Sequence, residues 1–230
     1  MAARTGVPRE DIARYLEKTK TVYDLTEEVF LQNSLHKLKN FFTWPVFRGF
    51  LNFGKIGAFD TMNGVNQKAF SDPRMVKIFN RYATYNGSSP YLAPATLNVI
   101  AHVEIMKGAY YPTGGMVSIT RSLAKLGADI GVQFHYSTPV QEIIIENKKA
   151  VGVRTGKGAE NFDVVISNMD VYNSYKKLMP GVKRPEKTLD QPKSSSGIIF
   201  YWGIKHDFKQ LGLHNIFFAE NYEEEFDTIF

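Results

Sequence analysis

Apolar positions recur with helical spacing in the first half of the chain and with strand spacing in much of the second. Ile12, Tyr15, Leu16, Thr19, Val22 and Tyr23 form one helical stripe, behind a start signal of Pro8, Glu10 and Asp11. A second stripe runs through Leu31, Leu35, Leu38 and Phe42 and is expected to stop at Trp44-Pro45, because proline disfavours helix in the residue before it. Asp72-Pro73 supplies a cap and a first-turn proline for a helix carrying Met75, Phe79, Tyr82 and Ala83. Asn86-Gly87 marks a turn, and Pro94 opens a helix through Leu97, Ile100 and Val103 that Gly108 ends.

Gly114-Gly115 leads into a further helix with Ile119, Leu123 and Leu126, closed by Gly127. The period then shortens. Val132 to Tyr136, Val140 to Ile145, Ala150 to Arg154 and Phe162 to Ile166 read as strands, with a polar hairpin connection at Glu146 to Lys149. Pro180 to Ser196 reads as a loop, Gly197 to Ile204 and Asn215 to Phe218 as strands, and Tyr222 to Phe230 as a helix. This order predicts an α+β or α/β fold: a mostly helical region over 1–108, a β-meander region over 109–194, and a return to the first region over 195–230. The last helix reads as cut short, so the chain is expected to be an internal piece of a longer protein.

Charge and composition narrow the partners. The net charge of +5 suits an anionic surface, but the basic residues are scattered and no Lys/Arg run marks a nucleic-acid patch. The absence of cysteine removes disulfides, thiolate metal sites and a cysteine nucleophile. The five histidines lie far apart, with no pair at metal-ligand spacing. No apolar run is long enough for a spanning helix, and Met1 to Glu10 has no signal-peptide core. Seventeen Phe and twelve Tyr, many in the first half, suit a core, an apolar ligand path or a membrane interface.

No dinucleotide fingerprint, Walker sequence, G-x-S-x-G elbow or H-E-x-x-H occurs. The nearest approach to the first, Gly156-Lys157-Gly158, reads as a surface turn. The aromatic stretch Phe41 to Phe59 has two readings. Trp44 and Phe47 enter a membrane interface while Arg48 and Lys55 meet headgroups, or the stretch is a buried helix pair. Tyr82, Tyr85 and Tyr91, in Arg81 to Thr96, either face an elongated apolar ligand or fill a helix corner. Gly114 and Gly115 either admit close backbone approach or serve as a plain helix start. Asp163 to Asp170 is an apolar strand that breaks on Ser167-Asn168 and caps a helix at Asp170, where α/β folds bind ligands or simply turn.

Taken together, Phe70-Ser-Asp-Pro-Arg74, Arg81-Tyr-Ala-Thr-Tyr-Asn-Gly-Ser-Ser-Pro-Tyr91, Tyr111-Pro-Thr-Gly-Gly-Met116 and Val165-Ile-Ser-Asn-Met-Asp170 resemble the phytoene desaturase family of carotenoid desaturases, in its order and spacing. The Ser195 to Gly203 strand and the Tyr222 to Phe230 helix also resemble that family, and within it the Arg81 to Tyr91 stretch looks more like the hydroxycarotenoid 3,4-desaturase branch than like phytoene desaturases proper. The resemblance implies the fold of flavin amine oxidases, in which a nucleotide-binding α/β domain is interrupted by a substrate domain. It implies FAD, a long polyene substrate such as phytoene or a hydroxycarotenoid, and work at a membrane surface on the cytoplasmic side. Carried over by position, Val140, Ser167, Asn168, Gly114 and Gly115 would meet the cofactor, and Tyr82, Tyr85 and Tyr91, with Arg81 at the corner, would line the polyene path. No catalytic base is implied; a structural ion pair is the expected role of Arg81. The family's Gly-rich βαβ unit and its closing Gly-rich segment do not occur in these 230 residues, so the chain by itself is expected to bind FAD weakly and to be inactive. Other readings are a membrane-associated binder of apolar lipids without redox chemistry, and another flavin oxidoreductase of the amine oxidase or retinol saturase type.

Overall fold

The computed structural model describes residues 1–28, 33–34, 37–52, 54, 57, 59–191, 193 and 196–230. The side chains of 38, 41, 45, 48 and 50 are not described. Two compact units form, one of Met1–Tyr110 with Ser194–Phe230, the other of Tyr111–Lys193.

The first unit is helical. Helix α1 (Arg9–Glu27) begins after Pro8, with Glu10 and Asp11 near the positive end of its dipole. Its apolar stripe turns inward, burying Tyr15, Val22, Tyr23 and Leu25. The stripe expected to follow is only partly visible, since Leu31 and Leu35 lie outside the described residues. A 3₁₀ turn, Leu38–Phe42, precedes α2 (Trp44–Leu51). The expected stop is found, since Thr43 is extended after the 3₁₀ turn, but Trp44-Pro45 also opens a new helix. Proline lacks an N–H, and the first helical turn needs none, so the dipeptide serves equally well as a start.

Helices α3 (Met62–Ala69) and α4 (Pro73–Asn80) are capped by Thr61, which accepts from the Gly64 N–H, and by Asp72, which accepts from the Arg74 N–H. Arg81–Asn86 continues as a 3₁₀ turn to Gly87, whose left-handed φ of 60° makes the sequence-predicted turn. The helix predicted from Pro94 is composite. A 3₁₀ turn, Ala95–Asn98, leads into α5 (Val99–His102) and then a π-turn, Val103–Lys107, ended at Gly108 with φ 99°. The core gathers Tyr15, Met62, Phe70, Met75, Phe79, Tyr82, Ala83, Ala93 and Ala101. It also holds a buried polar chain. The Tyr15 hydroxyl donates to Asn66 Oδ1 at 2.6 Å, Asn66 Nδ2 donates to Asn80 Oδ1 at 2.8 Å, and Asn80 Nδ2 donates to Asn63 Oδ1 at 2.8 Å. Near the end of the chain, α7 (Tyr222–Ile229) buries Tyr222 and Phe226, with Phe226 meeting the ring of Tyr91. Lys77 Nζ ties this segment down by donating to the carbonyls of Ala219 and Glu220 at 3.0 and 2.7 Å.

The second unit starts with the turn Pro112 to Gly115 and helix α6 (Val117–Asp129). Gly127 does not close this helix as expected, because α6 runs on to Asp129 and reverses at Gly131, φ 93°. At Gly127 the close neighbour is the Phe134 ring, 3.0 Å from where a Cβ would stand. Strands β1 (Val140–Glu146), β2 (Lys149–Thr155) and β3 (Gly158–Asn161) form an antiparallel meander. The β1–β2 hairpin turns on Asn147 and Lys148, both at positive φ (50° and 65°), which suits a two-residue turn matched to the strand twist.

Four expected strands are absent as paired strands. Val132 to Tyr136, Phe162 to Ile166, Gly197 to Ile204 and Asn215 to Phe218 are not part of the sheet; Gly156-Lys157 makes the expected turn, and β3, which follows it from Gly158, was not expected. Only the Phe162 N–H continues the ladder, to the Val151 carbonyl. Composition makes a segment extended, but a strand also needs a neighbour to take its N–H and C=O groups. The side chains of these segments are accordingly exposed, with Ile166 at 88% and Tyr201 at 94%. The loop expected over Pro180 to Ser196 contains one helical turn, Glu186–Leu189.

Candidate functional site

In the first unit, the corner between α4 and the π-turn concentrates polar groups on one carboxylate. Glu104 Oε1 accepts from Arg81 Nη2 at 2.6 Å and from the Tyr82 hydroxyl at 2.9 Å, while Glu104 Oε2 accepts from the Tyr85 hydroxyl at 2.7 Å. The guanidinium lies 4.2 Å from the Tyr82 ring centroid, and the rings of Tyr82 and Tyr85 stack at 5.8 Å. Burial works against ionisation of Glu104, but the hydrogen bonds from Tyr85, Arg81 and Tyr82 and the Arg81 charge outweigh it, so its carboxyl is held below the usual range. Burial likewise opposes the Arg81 charge, and its bonds to Tyr85 and Glu104 overcome that. The phenol of Tyr82 is raised by burial and stays a neutral donor.

The sequence-predicted substrate tyrosines therefore occupy three different settings. Tyr82 is inside the core, 1% exposed, and offers no face to a ligand; Tyr85 is exposed at 56%; Tyr91 is half-buried, edge-on to Phe226. Arg81 makes the ion pair expected of it. Glu104, its partner, escaped the sequence reading. Its signal was a lone acid among the apolar residues Ile100, Val103 and Ile105 of a predicted helix.

A cavity of about 510 Å³ opens in the same unit, lined in part by Tyr15, Thr19 and Val22 of α1, Val65 of α3, Ala95 and Asn98. That volume is in the range of small-molecule pockets. None of these residues was singled out as a site residue from sequence, since each reads as ordinary core.

The second unit holds the residues placed by sequence on a cofactor. Gly114 and Gly115 have φ of 85° and 83°, a conformation that only glycine adopts readily, and the nearest neighbour of a Cβ at Gly114 would be 3.8 Å away. Val140 opens β1, against which the π-turn Ser174–Leu178 packs. That π-turn continues a helical turn begun at Val171 and capped by Asp170, which accepts from the Asn173 N–H. The Ser167 hydroxyl is 2.9 Å from that of Ser174, so this side chain steadies the turn, and Asn168 beside it is exposed. The start of β1 and the turn before Asp170 thus belong to one packed substructure, with the glycine turn on the same unit. These groups fit the lining of part of a flavin site: open glycine backbone, a strand-edge backbone and a small polar turn. A pyrophosphate needs convergent N–H groups from a glycine-rich loop, and no such loop stands among these residues.

Residues 55–200 match the flavin containing amine oxidoreductases, and the chain belongs to that family. It is similar to the 1-hydroxycarotenoid 3,4-desaturase of Flavobacterium sp. (strain P99-3), with 46% identity over 95% of this chain and 45% of that protein. The phytoene desaturase of Cercospora nicotianae is 32% identical over 96% of the chain and 36% of its own length. The 4,4'-diapolycopene oxygenase of Methylomonas sp is 28% identical over 94% of the chain and 44% of its own length. The chain thus spans less than half the length of these relatives.

Proposed function

We propose that the protein is an FAD-dependent carotenoid desaturase, acting on a hydroxycarotenoid or a similar long polyene at a membrane surface on the cytoplasmic side. The observation that carries this reading is the 46% identity to a 1-hydroxycarotenoid 3,4-desaturase, sustained over 95% of the chain. Bound FAD supplies a two-electron acceptor for the hydrogen removed from a saturated carbon–carbon bond. The chain's own residues have simpler tasks. Gly114, Gly115, Val140, Ser167 and Asn168 hold the cofactor through backbone and small polar groups. The helical unit receives the polyene on apolar walls and excludes water. The Arg81–Glu104 pair, closed by the two tyrosine hydroxyls, fixes the corner between the π-turn and the segment after α4. The exposed Phe42, Trp44, Phe47 and Leu51 support docking on a membrane, where the substrate resides; Lys55, placed at the headgroups by sequence, lies outside the described residues.

The test is expression of the complete reading frame carrying this chain in a host that accumulates a 1-hydroxycarotenoid, followed by chromatography of the pigments. The expected product has one more conjugated double bond and absorbs at longer wavelength. Unchanged pigment with both a 1-hydroxycarotenoid and phytoene, in the presence of FAD, overturns the reading.

A further inference from the structure

The basic residues expected to be scattered are concentrated over 171–193. Six side chains there are cationic (Lys176, Lys177, Lys183, Arg184, Lys187 and Lys193) and two are acidic (Glu186 and Asp190), a net charge of +4 out of the +5 of the whole chain. The structure leaves most of that charge uncompensated. Arg184 Nε pairs with Glu186 Oε1 at 2.9 Å, but the five lysines are exposed and none of them joins an ion pair among the described residues. Two of them meet at one ring. The ammonium of Lys193 lies 4.1 Å from the centroid of Tyr172, and that of Lys176 lies 5.5 Å from it. The backbone that carries the lysines is anchored, because Leu178 and Leu189 are buried and the π-turn Ser174–Leu178 packs against β1. Like charges held together without a counter-charge repel one another until an anion arrives.

We infer that the segment 171–193 of the second unit is an electrostatic contact for an anionic bilayer, with its lysines meeting the phosphates of acidic lipid headgroups. Charge complementarity carries the choice of partner. An ammonium is a compact donor to phosphate oxygens, and lysines near an anionic leaflet add their attraction one by one. A single-stranded nucleic acid would need free rings on which to stack its bases. Here the Tyr172 ring is taken by two lysines and Tyr175 is half-buried. The inference rests on the membrane reading above and adds the class of lipid. The exposed Trp44 and Phe47 of the first unit need no charge on the lipid, whereas this segment does.

Protein expressed from the complete reading frame is mixed with vesicles of phosphatidylcholine, either alone or with about 25% phosphatidylglycerol, and binding is read by sedimentation. One lysine near an anionic surface contributes about fivefold to binding. The variant Lys176→Gln/Lys177→Gln/Lys193→Gln is therefore expected to lose about a hundredfold on the anionic vesicles and nothing on the neutral ones, with a melting curve to confirm that it folds. Salt at about 1 M is expected to remove the same increment from the parent. Equal binding of the parent to both kinds of vesicle overturns the inference, and so does an unchanged anionic preference in the variant. Binding to poly(U) as tight, per phosphate, as to the anionic vesicles overturns it in favour of a nucleic acid. An intact anionic preference without any binding to neutral vesicles supports this contact and counts against the aromatic docking patch. The same preference alongside a failure to desaturate supports this contact and counts against the proposed function.

Discussion

The Tyr15–Asn66–Asn80–Asn63 chain makes a sharp prediction about what holds the helical unit together. Asn66 is fully buried, accepts from the Tyr15 hydroxyl and donates to Asn80. Burial raises the Tyr15 phenol, so it is a neutral donor throughout the accessible pH range. Asn66→Leu keeps the branched shape but strands two groups, the Tyr15 hydroxyl and Asn80 Oδ1. Each stranded group costs about 1–3 kcal/mol, or roughly 2–6 kcal/mol together. That is a large share of a typical stability of about 5–15 kcal/mol. Tyr15→Phe strands only Asn66 Oδ1 and costs about 1–3 kcal/mol. The double variant leaves only Asn80 Oδ1 unpaired, so its loss falls short of the summed single losses by at least about 1 kcal/mol. Urea unfolding followed by circular dichroism measures all three. An Asn66→Leu loss below about 0.5 kcal/mol, the level of an ordinary surface change, would refute the reasoning. Strictly additive singles would refute it equally.

Three further outcomes are expected. Gly152→Ala places a Cβ against the Glu160 carbonyl oxygen across the β2–β3 ladder, and costs about 1–3 kcal/mol through displaced backbone; an unchanged melting temperature sinks this account. Glu104 is held below its ordinary value when folded, so its contribution is present above the unfolded value of about 4.3 and is lost as pH falls through the folded value. Glu104→Gln is expected to lower stability at neutral pH by about 1–3 kcal/mol and to flatten that acid limb in melts across pH, and a variant with the parent's acid limb contradicts the pairing. Replacing Trp44 and Phe47, 68% and 54% exposed with rings 5.6 Å apart, by serine is expected to weaken binding to anionic vesicles at least about tenfold; equal sedimentation with vesicles removes this patch from the docking surface.

Local signals were readable where chemistry is local. The Asp72 cap, the turn at Gly87, the stop at Gly108, the polar hairpin and the Asp170 cap are each fixed by one side chain or one φ angle, and each is found. The family resemblance was likewise carried by short motifs with preserved order. Much of the chemistry at the candidate sites was not readable. Glu104 reaches Arg81 across 23 positions and Asn66 reaches Tyr15 across 51, and no periodicity announces such a meeting.

The sequence by itself determined several helix starts, at Pro8, Asp72 and Tyr222, along with the apolar stripes and the family the chain resembles, because those follow from nearest neighbours and motif order. Only the tertiary structure decided which extended segments become strands, since a ladder needs a second backbone at the right distance. It also decided that Tyr82 is core while Tyr85 is surface, though both belong to one motif, and that Asn66 meets Tyr15 and Asn80 inside the core. Those differences depend on what arrives from elsewhere in the chain to cover each group, and burial then sets the cost of leaving it unpaired.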